Sequence, residues 1–77
     1  MKQEINVGDV IEVIENYDFM GLSIRIGDVA KSVRREENDD EVDIIWLSGK
    51  NRGIHTIGIY KKRFKKVNEK EVLAWLI

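Results

Sequence analysis

Few side chains in this sequence could take part in chemistry. His55 is the single histidine, and the chain contains no cysteine. A nucleophile needs a base beside it, and no Gly-x-Ser-x-Gly elbow accompanies this histidine. The glycines are scattered turn residues and form neither a Walker loop nor a dinucleotide fingerprint. We therefore predict a protein that is not an enzyme, with no catalytic residues and no cofactor.

The acidic segment 36–41 is the one stretch that could bind a metal ion, since it holds five carboxylates. Its spacing lacks the central glycine and the later glutamate of an EF-hand, and no flanking helices are expected. A solvated tip between two strands explains the same composition. The sequence therefore predicts no metal site.

The basic residues are concentrated towards the end of the chain. Residues 1–49 carry a net charge of −7, whereas residues 50–77 carry +6. This asymmetry marks either an anion-binding face or two halves that attract each other across strand pairs. A nucleic-acid surface would use the basic side chains between residues 50 and 66, with Tyr60 and Phe64 interleaved, namely Lys50, Arg52, Lys61, Lys62, Arg63, Lys65 and Lys66. The pI of about 5.8 is low for a dedicated nucleic-acid binder.

A protein-binding surface is the competing hypothesis. The first long loop, residues 16–26, carries Tyr17, Phe19 and Met20. Aromatic residues and methionine are the types that anchor protein interfaces. The alternative is that the three side chains pack beneath the loop as a satellite of the core. The apolar end of the chain, residues 74–77, offers a second contact surface, for a homodimer or for docking onto the domain itself.

The elements that must position these residues are short strands. Alternating apolar residues and turn signals predict strands over residues 7–15, 28–36, 42–48, 54–60 and 65–67, with a tight turn at 61–64. In the third of these strands Val42, Ile44 and Trp46 are expected to face the core. In the fourth, Ile57 and Ile59 are expected to point inward, with Gly58 marking a bulge or bend.

Two further local signals are visible. The sequence Val-Gly-Asp-Val at 7–10 returns as Ile-Gly-Asp-Val at 26–29, which predicts two strands entered through the same kind of turn. Asn68, with Glu71 three residues later, fits the start of a helix over about 69–76. So short a helix must dock, and its apolar stripe would cover Ile45 and Leu47.

The order and spacing of these segments resemble SH3-like barrels, in particular the short KOW-type and related domains of bacteria and their phages. The residues that carry the resemblance are Val7–Val13, Gly21–Val29, Val42–Trp46 and Gly58–Phe64, within a region of about 7–67. The resemblance implies a five-stranded barrel that binds a partner, and KOW-type relatives that contact RNA keep nucleic-acid binding open as the alternative.

Together these observations predict a mainly β protein with one domain over residues 1–77: a five-stranded SH3-like barrel over about 7–67 and a short C-terminal α-helix. We expect a non-catalytic, phage or bacterial regulatory module that binds another protein. No apolar run is long enough to span a bilayer and no signal peptide is visible, so we expect a cytoplasmic protein, monomeric or weakly homodimeric, with no membrane partner.

Overall fold

The computed structural model describes residues 5–35, 40–68 and 70. This part of the chain is mainly β, as predicted. Its seven strands are β1 (Val10–Val13), β2 (Tyr17–Phe19), β3 (Leu22–Ile24), β4 (Val29–Arg35), β5 (Glu41–Trp46), β6 (His55–Tyr60) and β7 (Phe64–Lys66). A 3₁₀ turn (Lys61–Arg63) joins β6 to β7, where the sequence predicted a tight turn.

Five of the strands form one antiparallel sheet in the order β6-β5-β4-β1-β7, and β2 and β3 form a separate hairpin. The expected closed barrel is not formed by the described strands. The chain passes from β6 to β7 through the 3₁₀ turn, and no hydrogen-bonded ladder between these two strands is found in the described residues. Among the described strands, β6 and β7 are therefore the two edges of an open sheet.

One face of the sheet carries the main core. Val42, Ile44 and Trp46 are buried there, which confirms the predicted inward set of β5. The Trp46 indole Nε1–H donates a hydrogen bond of 3.0 Å to the Thr56 hydroxyl, and its ring lies 6.0 Å from that of Phe64. A buried indole needs such an acceptor, so Thr56 fixes the orientation of the largest core side chain.

Ile57 corrects the prediction for β6. Its side chain is 62% exposed, whereas Ile59 is buried as expected. The register slips between Val42 and Ile44, so residues 57 and 58 together oppose Asp43. The extra residue shifts the alternation and turns Ile57 outward. Gly58 lies at this bulge with φ of +73°, and its N–H donates to the buried Asp43 carboxylate at 3.0 Å.

The opposite face of the sheet carries a smaller apolar cluster. Val10 and Val29 are buried, and Leu47 and Val67 pack against them. The predicted cover for this face was the helix over about 69–76, which lies outside the described residues apart from Lys70. The predicted contact surface at 74–77 lies outside them as well.

The repeated Gly-Asp turns are present at both predicted places. The N–H groups of Asp9 and Asp28 donate to the carbonyls of Asn6 and Arg25, three residues earlier, at 3.0 Å. Each aspartate side chain in turn accepts from the N–H of that same earlier residue, at 2.7 and 3.0 Å. The glycines at 8 and 27 both have φ of +94°, which other residues resist. The same type of turn therefore precedes both β1 and β4.

Candidate interaction site

The segment 16–26, expected to be a loop, contains the β2–β3 hairpin. Tyr17 pairs with Ile24 and Phe19 with Leu22, so a two-residue turn of Met20 and Gly21 joins the strands. Ile24 is fully buried, and Tyr17, Phe19 and Leu22 are partly buried against the main core. Two of the three residues predicted to bind protein therefore contribute to holding the hairpin in place.

Side-chain amides tie the hairpin to its surroundings. Asn51, which is 5% exposed in the loop between β5 and β6, donates from Nδ2 to the Ser23 carbonyl at 2.9 Å. The Asn16 side chain accepts from the Ile26 N–H at 2.8 Å. Sequence reasoning missed Asn51, because an asparagine between two glycines is typical of any turn and carries no sign of a contact 28 residues away.

Tyr17 lies beneath Arg63 at the base of the hairpin. The guanidinium carbon is 4.4 Å from the ring centroid, and Arg63 also forms an ion pair of 2.5 Å with Glu15. The Tyr17 hydroxyl is buried and has no hydrogen-bond partner in the described part of the chain. Burial raises the pKa of Tyr17 above its usual value of 10.0, opposed by the Arg63 charge and reinforced by Glu15. The phenol therefore stays neutral and serves packing.

Met20 stands apart from its neighbours at the tip of the hairpin. Its side chain is 87% exposed, and its φ is +51°. Glycine, asparagine and aspartate are the residues that usually occupy this region of backbone space, because a longer side chain adds strain. Within residues 5–35, 40–68 and 70, it is the one residue other than glycine with a positive φ. A flexible apolar side chain is thus held in solvent at a conformational cost.

Three of the seven predicted basic residues are neutralised by acids of the first half of the chain. Arg63 pairs with Glu15, while Lys65 lies 3.8 Å from Glu12 across the β1–β7 ladder. Lys66 lies 3.2 Å from Asp9. The Lys65–Glu12 contact is the strand pairing of opposite charges that the sequence left open as one explanation of the asymmetry.

The other four basic residues have no carboxylate within ion-pairing distance in the described ranges. Lys50 and Arg52 lie in the loop before β6, whereas Lys61 and Lys62 lie in the 3₁₀ turn after it. The Lys62 ammonium lies 5.6 Å from the centroid of the exposed Tyr60 ring. Phe64, the other interleaved aromatic, is buried in the core. The basic segment is therefore divided between the two ends of β6 and the β1–β7 edge.

His55 is exposed at the start of β6. Within the described ranges, no three or more His, Cys, Asp or Glu residues are grouped so that they could hold a metal ion. Most of the acidic segment 36–41 lies outside those ranges, at residues 36–39. No helix among the described residues combines the length and apolarity that a membrane-spanning helix requires.

Comparison of the chain with protein-family models, with curated proteins and with solved structures found no match.

Proposed function

We propose that this protein is a non-catalytic module of SH3-like type that binds another protein through the tip of the β2–β3 hairpin. The SH3-like assignment is supported by five strands in the main sheet, a long excursion between the first two of them and a 3₁₀ turn before the last. The binding assignment is supported by the hairpin, which leaves the sheet and ends in an exposed apolar residue.

The observation that carries the proposal is the conformation of Met20 together with its exposure. A residue in an unfavourable backbone region persists only where its surroundings or a function require it. The side chain is 87% exposed, so it contributes little to packing in the part of the chain that the structure describes. Methionine is flexible and polarizable, which suits it to contact an apolar pocket on another protein. The partly buried Tyr17 and Phe19 supply a firm base, so that few conformations are lost when the tip binds.

An affinity experiment with three forms of the protein tests this proposal. Wild type, Met20→Asn and Met20→Leu are immobilised, and the proteins they retain from a lysate of the source organism are quantified by mass spectrometry. A partner held through the tip is retained by wild type and Met20→Leu and is reduced about tenfold or more by Met20→Asn, as expected for an interface anchor. Absence of any protein with this pattern refutes the proposal.

A second measurement distinguishes nucleic-acid binding through the basic segment from the proposed protein binding. Anisotropy of a labelled single-stranded oligonucleotide is recorded against the protein at about 50 and 200 mM salt, because phosphate contacts weaken steeply with salt. Salt-sensitive binding that is reduced by Lys62→Glu and Arg63→Glu but unaffected by Met20→Asn would replace the protein-binding proposal. The pairing of Arg63, Lys65 and Lys66 with acids leaves fewer cations for this role.

A further inference from the structure

The edge strand β6 is a second surface, away from the hairpin tip, whose features have no use in the proposed function. Within the described residues β6 pairs only with β5. Its six residues include no lysine, no proline and no acid. Ile57 is 62% exposed and Tyr60 is 49% exposed, and His55 is exposed as well. Proteins usually protect a sheet edge with lysine, acids, proline or a bulge, and of these β6 has only the bulge at residues 57 and 58.

The backbone of β6 has hydrogen-bonding groups directed at this free edge. The Ile54 carbonyl accepts from the Trp46 N–H at 3.0 Å, and Thr56 lies opposite Ile44. In an antiparallel ladder, alternate residues direct their N–H and C=O groups to opposite sides of the strand. The backbone groups of His55 therefore point away from β5. The Ile57 carbonyl also points away at the bulge, because the Gly58 N–H of the same peptide unit is directed at Asp43 of β5. These groups offer the ladder that an added strand would use.

The charges around β6 lie at its two ends. Lys50 and Arg52 precede the strand, Lys61 and Lys62 follow it, and none of the four has an ion-pair partner among the described residues. A six-residue strand spans about 20 Å. The edge therefore has a basic group at each end and about 20 Å without lysine, arginine or acid between them. Acids lie near both ends: the Asp28 carboxylate is next to Gly49 at the first basic end, and Asp40 and Glu41 lie beside the second. Asp43, opposite the middle of the strand, is buried.

We propose that the β6 edge binds an extended segment of a partner protein as a sixth strand, and that this segment has an uncharged, β-branched centre with acidic residues on both sides. The main-chain groups of His55 and the Ile57 carbonyl supply the ladder, and the exposed Ile57 side chain contacts the apolar centre. The four unpaired cations attract the acidic flanks, which fixes the position of the segment along the strand.

Charge argues against a second copy of this chain as the occupant. Antiparallel pairing of two β6 strands would bring Lys61 and Lys62 of one copy beside Lys50 and Arg52 of the other, at both ends of the pair. Like charges placed in this way are repulsive. A nucleic acid fits less well than a peptide, because the roughly 20 Å between the basic ends contains no lysine or arginine that could contact phosphates.

Titration of a defined peptide tests the proposal. The probe is a fluorescein-labelled peptide with three aspartates, a central Val-Thr-Val-Thr-Val-Thr and three further aspartates. Its controls replace the aspartates by lysines, or methylate alternate backbone nitrogens of the centre. The aspartate peptide is expected to bind at least tenfold more tightly than either control, since each control removes one of the two recognition elements. Amide chemical shifts should change over 53–60 and stay unchanged over 17–24.

Two substitutions with the same charge change provide the matched comparison. Ile57 and Ile26 have the same exposure, 62%, but Ile26 lies in the turn before β4. Ile57→Glu should weaken binding of the aspartate peptide about tenfold or more, whereas Ile26→Glu should change it less than twofold. In the same way Lys62→Gln should weaken binding several-fold, and Lys65→Gln, which removes a cation already paired with Glu12, should not.

Several results would overturn the proposal. These are no binding at 1 mM peptide, equal binding of the lysine-flanked or methylated peptide, or equal effects of Ile57→Glu and Ile26→Glu. Sedimentation showing a dimer that Ile57→Glu dissociates would assign the edge to a second copy. Displacement of the peptide by oligothymidylate at equal concentration would assign the cations to nucleic acid. The hairpin variant Met20→Asn should leave peptide binding intact, so this proposal and the proposed function fail separately.

Discussion

Replacing Met20 by asparagine should make the protein more stable while removing its proposed function. A side chain in the left-handed region costs roughly 1–2 kcal/mol, and asparagine is one of the residues that tolerate this region. Because Met20 is 87% exposed, the substitution forfeits only about an eighth of the burial energy of a methionine, roughly 0.2–0.4 kcal/mol. The expected net gain is about 0.5–1 kcal/mol.

Thermal unfolding followed by circular dichroism measures this gain. For a domain of this size the gain corresponds to an increase in Tm of roughly 2–8 °C. Met20→Leu is the control, because it keeps both the apolar character and the backbone strain and should leave Tm within about 2 °C of wild type. A mutation that simply damaged the hairpin would lower Tm and binding together.

Two results would refute this reasoning. A lower Tm for Met20→Asn would mean that the methionine packs against the fold, contrary to its exposure. A higher Tm with unchanged retention of the partner would mean that the strain at the tip has no connection with binding. Met20→Asn is expected to raise stability and to lower binding. This combination distinguishes a functional residue from a structural one, because residues kept for function are often not optimal for stability.

Three other predictions concern the stability of the fold that supports the hairpin and the β6 edge. Burial raises the pKa of Tyr17 in the folded state, so the folded protein should lose stability as the pH rises above 10.0, where the phenol of the unfolded chain ionises first. Urea unfolding at about pH 8 and 11 should show that Tyr17→Phe reduces this loss, and an equal loss in both proteins would contradict the prediction. Asp43→Ala deprives the Gly58 N–H of its acceptor at the bulge and should lower the free energy of unfolding, measured in urea, by about 1–3 kcal/mol. A decrease of less than about 0.5 kcal/mol would contradict this prediction. Lys65→Gln should change the free energy of unfolding by less than about 1 kcal/mol, because the Lys65 side chain is 56% exposed and its ammonium lies as far as 3.8 Å from the Glu12 carboxylate. A larger loss would mean that the β1–β7 edge depends on this ion pair.

Much of the β framework could be predicted because its signals are local. The apolar segment 42–47, in which Asp43 interrupts the second face, identified both the strand and the buried set of Val42, Ile44 and Trp46. The two Gly-Asp turns were predictable for a similar reason, since the glycine and the aspartate side chain determine the turn without help from distant residues.

Features that depend on pairing between distant strands could not be predicted in the same way. Ile57 and Ile59 are two residues apart and would share a face in a regular strand, yet the bulge opposite Asp43 places them on different sides. The glycine at position 58 indicated a bulge but could not say which neighbour would be turned outward. In the same way, the segment 16–26 has turn residues typical of a loop, and its hairpin depends on packing of Tyr17, Phe19 and Leu22 against the core.

The distribution of charge shows how strand register can change the meaning of a sequence pattern. In the sequence, the seven basic residues between positions 50 and 66, with no acid among them, suggest one binding surface. The β1–β7 register sets Glu12 opposite Lys65, and the neighbouring contacts neutralise Arg63 and Lys66. Of the seven, the cations without an ion-pair partner among the described residues are those that flank β6, a strand without lysine, arginine or acid. In the proposed binding of an extended segment, the spacing of these cations along one sheet edge, more than their number, would select the partner.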